Sequence, residues 1–276
     1  MRVLIAGCGD VGNVLAISLM EDGHVVFGLK RNISSLPAGV IPIQADLTDP
    51  RTLAKLPVNI ERLVFLPTPA SRDKEGYKAI FIDGWNNLWG ALKASPARTL
   101  VISSTAVFGE SAGGLVDEVS VPEPTGFNGK ILLEMEQLAS GCTSELVVVR
   151  ISGIYGPGRE RLIRQAASGG LEVQQTPPFY TNRIHRDDAA AALKHLLFID
   201  KAEALYIASD SLPAPRYEVV EWLAGMQDAE APTGLVDEQA SQGKRVNNQR
   251  LRDSGFKLSY PDYRAGYGAV LKSRQS

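Results

Sequence analysis

The sequence predicts an α/β fold built on a doubly wound parallel sheet, with a smaller C-terminal lobe. Short apolar runs alternate with amphipathic helical stretches from Val3 to Arg150, the pattern of strands joined by crossover helices. The runs are continuously apolar, as strands buried on both faces require. Past Gly153 the alternation gives way to turn clusters, Gly156-Pro157-Gly158, Gly169-Gly170 and Pro177-Pro178, which mark a differently built lobe.

Val3-Leu4-Ile5-Ala6 is the first strand, followed by Gly7-Cys8-Gly9-Asp10-Val11-Gly12. Val11, Val14, Leu15, Ser18 and Leu19 then share one helical face until Gly23 stops the helix. His24 to Leu29 reads as the second strand, and Val40 to Ile43 as the third, with an exit loop from Gln44 to Asp49. Leu63 to Leu66 is the fourth strand, broken by Pro67-Thr68-Pro69. A helix over Lys78 to Lys93 follows from the spacing of Ile80, Phe81, Trp85, Leu88 and Leu92. Leu100 to Ser104 is strand five, Lys130 to Ser140 a helix and Glu145 to Arg150 strand six. Farther on, a helix is expected over Asp187 to Phe198 and a strand over Ala204 to Ala208. A short helix is expected near Asn247 to Leu251, closing near Gly255. A last one starts at Pro261-Asp262, with Tyr263, Tyr267, Val270 and Leu271 on one face.

Composition narrows the function. The chain has 276 residues, 44% apolar and 22% charged, with a formal net charge of −2. Those fractions are globular and exclude wholesale disorder. The near-neutral balance gives no electrostatic ground for a nucleic-acid partner. Two cysteines, Cys8 and Cys142, make neither a disulfide framework nor a structural zinc site. Three scattered histidines, at 24, 185 and 195, argue against a bound metal. No run approaches the ~18 apolar residues of a membrane span, and the opening apolar run is too short for a signal peptide. A cytoplasmic protein acting on a small molecule, with no membrane or nucleic-acid partner, is the expectation.

The glycines say which small molecule. Gly7, Gly9 and Gly12 form G-x-G-x-x-G between a strand and a helix, inside a unit of about thirty residues, the context of a dinucleotide-binding Rossmann turn. One glycine permits the tight turn, one lets backbone N–H groups approach a pyrophosphate, and one lets helix and strand pack closely. The phosphates rest at the helix start, near Asp10 and Val11, where unpaired N–H groups and the macrodipole favour an anion. The end of strand two then chooses the cofactor. An acid there would bind the ribose 2′-hydroxyl of NAD, but this chain has Leu29-Lys30-Arg31-Asn32. Lys30 and Arg31 can pair with a 2′-phosphate, so NADP(H) is expected over NAD(H), against the alternative of a solvated basic turn. The dinucleotide-binding core is expected over 1–158, with 185–209 returning to it. A substrate-binding lobe is expected over 159–184 and 210–276.

Together the motifs resemble the extended short-chain dehydrogenase/reductase superfamily of NAD(P)-dependent epimerase/dehydratase type. Asp46-Leu47 matches the pair that contacts adenine in that family, and Ser103-Ser104-Thr105-Ala106-Val107-Phe108-Gly109 its strand-five signature. Arg150-Ile151-Ser152-Gly153-Ile154-Tyr155-Gly156-Pro157-Gly158 and Asn182-Arg183-Ile184-His185-Arg186-Asp187-Asp188 resemble its later elements. The resemblance implies that Ser104 holds the reacting oxygen. It also implies that Lys130, opening Lys130-Ile131-Leu132-Leu133-Glu134, bridges the nicotinamide ribose. A homodimer is a further implication.

The resemblance fails at three places, the first of them the most consequential. The family sets a Tyr four residues before the Lys, whose cation lowers the phenol pKa for proton transfer. Here Gly126 stands there, and none of the eight tyrosines has a lysine four positions later. The opening is also G-x-G-x-x-G rather than G-x-x-G-x-x-G, and Thr105-Ala106 replace the acidic pair of the sugar-nucleotide dehydratases. Two functions are therefore carried forward. The first is an NADP(H)-linked oxidoreductase or epimerase acting on a polar carbonyl or hydroxyl compound such as a nucleotide sugar. The second is a non-catalytic NADP(H)-sensing regulator or scaffold. Arg159, Arg161 and Arg164 are candidates to meet a substrate phosphate or carboxylate, or else form a solvated face. Asn182, Arg183 and His185 divide between binding and structural hydrogen bonding. Oxidation of Cys8, inside the glycine turn, would block the cofactor.

Overall fold

The structure, a computed structural model, describes residues 1–143 and 145–274. Its strands and helices fall into two compact units. The first comprises residues 1–107, 124–150 and 190–206, and the second residues 108–123, 151–189 and 207–274.

The first unit carries most of a seven-stranded sheet. In chain order its strands are β1 (Arg2–Ala6), β2 (Val25–Lys30), β3 (Ile41–Gln44), β4 (Arg62–Phe65), β5 (Arg98–Ser104), β7 (Leu146–Ile151) and β12 (Leu205–Ala208). The intervening β6 (Ala112–Val116) and β8 to β11 belong to other sheets. The spatial order β12-β7-β5-β4-β1-β2-β3 is doubly wound about β1. The pairings from β3 through β5 are all parallel. Val3, Leu4 and Ile5 have no solvent exposure, as their continuous apolar run demands. Pro42 is tolerated in β3 because that strand is the sheet's edge, where a missing N–H breaks no ladder.

Helices α1 (Asp10–Glu21), α2 (Lys74–Lys78), α3 (Gly84–Ala91), α4 (Phe127–Ser140) and most of α6 (Arg186–Phe198) belong to this unit. The helix expected over Lys78 to Lys93 begins four residues earlier, because Asp73 caps it by accepting from the Gly76 N–H at 2.7 Å. A π-helical turn, Ala79–Asp83, joins α2 to α3 without a break. The α4 helix starts at Phe127, three residues before the expected Lys130, with Gly126 as its N-cap residue. Inside the core, Arg150 makes a two-pronged ion pair with Glu136, at 3.1 and 2.7 Å, which satisfies charges that are almost fully buried. Arg98 and Arg62 donate to the last carbonyls of α6 (Leu196, Ile199 and Leu197), where cations complement the helix dipole.

The second unit has its own apolar core, in which Tyr155, Ile163, Val173, Val219, Val220, Leu223, Tyr263, Tyr267 and Val270 pack together. Its elements include β8 (Gly153–Tyr155), α5 (Arg161–Ala167), β9 (Glu172–Thr176), β10 (Tyr180–Thr181) and β11 (Arg183–His185). They continue with β13 (Ala214–Pro215), α7 (Arg216–Gly225), β14 (Thr233–Val236), β15 (Gly243–Val246), α8 (Gln249–Asp253) and α9 (Tyr263–Ser273). Four short strands from distant segments, β13-β10-β15-β6, make one sheet. The last helix is capped as its sequence predicts: the Asp262 carboxylate accepts from Ala265 N–H at 2.9 Å.

Candidate functional site

The glycine turn between β1 and α1 shows three separate constraints. Gly7 has φ +93°, and a Cβ there would stand 2.4 Å from the Leu66 carbonyl oxygen, so no side chain fits. Gly12 lies under the helix, where a Cβ would crowd Gly7 O and Ile5 Cγ2 at 3.3 Å. Gly9 differs: the nearest atom to its Cβ position is 3.9 Å away. Nothing in the protein forbids a side chain at Gly9, so the space it leaves is available to a ligand. No side chain caps the start of α1, whose N-cap is Gly9, so the first-turn N–H groups keep their affinity for an anion. Gly7 and Gly9 line a cavity of about 450 Å³.

The same cavity continues to the ends of β2 and β3, where Lys30, Arg31, Asn32, Asp46 and Leu47 line it. The Lys30 ammonium donates to Ser35 Oγ at 2.8 Å, and Asn32 caps the following turn by accepting from Ser34 N–H and Oγ–H. A hydroxyl-bearing turn thus adjoins the cationic pair. Asp46 is fixed by accepting from Thr48 N–H at 2.9 Å and Oγ–H at 2.8 Å. Beyond the residues expected from sequence, the cavity wall takes in Thr48, Pro67 and Thr68 from strand exits, and Gly76, Ala79 and Ile80 from α2 and the π-helical turn. The Pro67-Thr68-Pro69 break after β4 was a visible signal for the former. The helical residues had none, because their approach depends on the Asp73 cap and on close packing at Gly76, whose Cβ would meet Ser71 Oγ at 2.2 Å.

Strand five ends at Ser104, and its hydroxyl oxygen accepts from Ala106 N–H at 3.1 Å while staying half-exposed. The Ser104 turn and the start of α4 are pressed together. A Cβ on Gly129 would lie 2.2 Å from the Ala106 carbonyl oxygen, so Gly129 is what lets the two approach. Lys130 follows directly and is exposed. The sequence-predicted pair, Ser104 and Lys130, is therefore brought to one locality of the first unit.

Cys8 is fully buried, and burial pushes its thiol up to about 11, so it stays protonated and poorly reactive at neutral pH. His24 stacks face to face on Phe198 at 4.5 Å, a packing role. Among the described residues no cluster of His, Cys, Asp and Glu could hold a metal ion, and no helix is long and apolar enough to cross a membrane.

The second unit has a cavity of about 280 Å³ lined by Arg159, Arg161, Arg183 and Arg216, with Tyr155 and Asn182. Arg164 is not part of that wall. Arg183 is 5% exposed; one of its terminal nitrogens donates to Thr181 Oγ1, and the other has no hydrogen-bond partner. That nitrogen is sealed from solvent, so the accessible cations of the wall are Arg159 and Arg161, both exposed. Tyr155 also has an unpartnered hydroxyl there, and burial raises its pKa well above the usual phenol range. Asn182 is spoken for, donating to Lys244 O at 2.9 Å and accepting from Val246 N–H at 2.8 Å. His185 lies between the rings of Tyr155 and Tyr260, and burial lowers its pKa, so it is a packed neutral imidazole. Asp210, close enough for Arg183 to act on it, is pushed up by burial to about 7.

A doubly wound sheet with a glycine cradle at its first turn defines a dinucleotide-binding α/β protein. Residues 3–197 match the NAD dependent epimerase/dehydratase family, and the chain belongs to that family. The chain is similar over its whole length to a Methylobacillus flagellatus protein assigned to the NAD-dependent epimerases/dehydratases. The two share 38% identity, with 99% of that chain covered and a TM-score of 0.84. The fold is shared with MoeE5 in complex with UDP-glucose and NAD, at 23% identity, TM-score 0.82, and 100% and 99% coverage of the two chains. It is shared also with the UDP-glucose 4-epimerase of Thermus thermophilus in complex with NAD, at 18% identity, TM-score 0.82 and the same coverage. No curated protein matches the sequence.

Proposed function

We propose that the protein is an NADP(H)-linked oxidoreductase or epimerase acting on a polar carbonyl or hydroxyl compound, with nucleotide sugars as the first substrate class to test. One observation carries the reading: a single cavity joins the cradle of Gly7 and Gly9 to Lys30 and Arg31. The residues fit a dinucleotide, since the space before Gly9 is empty of protein atoms and the α1 N-terminus is free of any side-chain cap. Gly7 and Gly9, whose own N–H groups donate to Leu29 O and Gly7 O, would shape the turn around the pyrophosphate, and the first-turn N–H groups of Asp10, Val11 and Gly12 would hold it. Asp46 and Leu47 flank the adenine, and Lys30 with Arg31 takes the 2′-phosphate. The bound cofactor supplies hydride exchange at its nicotinamide.

The chain's own residues do the rest. Ser104 keeps its O–H free to donate to the substrate oxygen, because its own oxygen is already oriented by Ala106 N–H. Lys130 orients the nicotinamide ribose hydroxyls and adds positive charge where an oxyanion develops. Arg159 and Arg161 receive an anionic group of the substrate, a phosphate or carboxylate. Residues 159–184 and 210–276 are assigned to substrate contacts, and the homodimer implied by the family resemblance is retained.

The competing reading, a non-catalytic NADP(H) sensor, is favoured by Gly126 at the place of the family's Tyr. Oxidation of NADPH against a panel of carbonyl compounds and nucleotide sugars separates them. Turnover that Ser104→Ala lowers at least a hundredfold supports the enzyme; tight NADPH binding without turnover on any compound supports the sensor.

A further inference from the structure

Reducing a carbonyl takes a proton at oxygen as well as a hydride at carbon. Neither Ser104, an alcohol, nor Lys130, an exposed ammonium, is an efficient donor by itself, and position 126 offers no side chain. That glycine is not demanded by the fold. Gly126 has φ −84° and ψ 154°, ordinary extended backbone. A Cβ there would meet only the Asn128 side chain, at 2.6 Å from Oδ1, and that side chain can rotate away. The contrast with Gly129, three residues on, is sharp, since its Cβ would collide with backbone. Position 126 could carry a side chain without a change of backbone.

The structure brings a phenol to the adjoining residue from another helix. The ring of Phe127 packs edge-on against the ring of Tyr77, with centroids 5.5 Å apart and planes at 88°. Tyr77 is half-buried in the last turn of α2, and its neighbours Gly76, Ala79 and Ile80 line the dinucleotide cavity. The π-helical turn begins two residues later. Such turns insert an extra residue and re-aim the side chains around them, often at functional sites. Lys130 stands three residues after Phe127, hence on the neighbouring turn of the same helix face. Tyr77 thus meets Phe127 in the first turn of α4, the turn that leads into Lys130.

We propose that Tyr77 is the catalytic acid and base of this protein, supplying from α2 the phenol that position 126 lacks. The inference rests on the oxidoreductase reading above. In reduction, hydride adds to the carbonyl carbon and the carbonyl π pair moves to oxygen. That oxygen takes the phenolic proton, so the Tyr77 O–H bond breaks and an alcohol O–H bond forms. The phenolate is stabilised by Lys130 and regains its proton from water; oxidation runs the same transfers backwards. The hydride comes from the reduced nicotinamide, which ends oxidised.

Two measurements test this, one of them without turnover. Tetranitromethane nitration of Tyr77, read by mass spectrometry of its peptide, is expected to slow at least fivefold under saturating NADP+ or NAD+ in separate runs. An unchanged rate with a dinucleotide that binds overturns the placement. In kinetics, Tyr77→Phe is expected to lower kcat at least a hundredfold, with the KM for NADPH within twofold and the melting temperature unchanged. Adding Gly126→Tyr in that background is expected to restore kcat at least tenfold. Full kcat in Tyr77→Phe overturns the proposal while leaving the oxidoreductase reading intact. A wild-type protein that turns over nothing overturns that reading and this proposal with it.

Discussion

Two parts of the same unit handle their glycines in opposite ways. In the β1–α1 turn, Gly7 and Gly12 are fixed by collisions that a Cβ would make, and Gly9 keeps a space open for ligand. At the start of α4, Gly129 is equally fixed, but a Cβ on Gly126 would meet only the Asn128 side chain, which can turn away. The β1–α1 turn is thus held by geometry, while position 126 leaves room for a side chain. A family resemblance is a good guide to the first and a poor one to the second.

That contrast can be broken by substitution. The largest effects belong to Gly129→Ala and Gly7→Ala, which force a side chain into backbone oxygens at 2.2 and 2.4 Å. Each is expected to lose about 3 kcal/mol or more in urea unfolding. Gly9→Ala sharpens the point: unfolding free energy within about 1 kcal/mol of wild type, but dinucleotide binding weakened at least a hundredfold, because the methyl enters only the ligand's space. A Gly9→Ala protein that binds normally would remove the cradle from the account.

In the second unit, Asp210 offers a smaller effect with a defined sign. Burial raises its carboxyl from the ordinary 3.8 to about 7, opposed by Arg183. Between those values the native protein keeps a proton that the unfolded chain has released. Stability therefore falls as pH rises through that window, by at most about 1.4 kcal/mol per pH unit, and Asp210→Asn is expected to flatten the slope. The smallest effect is expected at Gly126→Ala: a change of less than about 1 kcal/mol, because the gain from a less flexible unfolded chain is offset by the preference for Gly over Ala at a helix N-cap. Thermal unfolding of this variant beside Gly129→Ala checks the contrast directly.

Much of the first unit was legible in the sequence, because its strands are short, continuously apolar and punctuated by glycine and proline. The β1-turn-α1-β2 segment, the exit of β3 at Asp46-Leu47 and the locality of Ser104 and Lys130 all emerge from local pattern. The second unit was not legible in the same way. Its sheet joins β6, β10, β13 and β15, segments of two to five residues, with Gly113 and Gly114 inside β6. Strands that short carry no measurable period, and their partners lie far away in sequence. The α7 helix, starting right after Pro215, was hidden by the turn residues before it. In the candidate site, Arg159 and Arg161 were visible as a cluster near a turn. The burial of Arg183 and the edge-on contact of Tyr77 with Phe127 are tertiary facts, the latter spanning fifty residues.

The central claim is that one cavity carries a dinucleotide from the glycine turn to a cationic pair that prefers a 2′-phosphate. Equilibrium binding of NADPH and NADH to the wild-type protein and to Lys30→Ala/Arg31→Ala tests it most directly. The expected result is a wild-type preference for NADPH of tenfold or more that collapses in the double variant through weaker NADPH binding, with NADH affinity unchanged. An unchanged NADPH preference in the variant, or a wild-type preference for NADH, would contradict it.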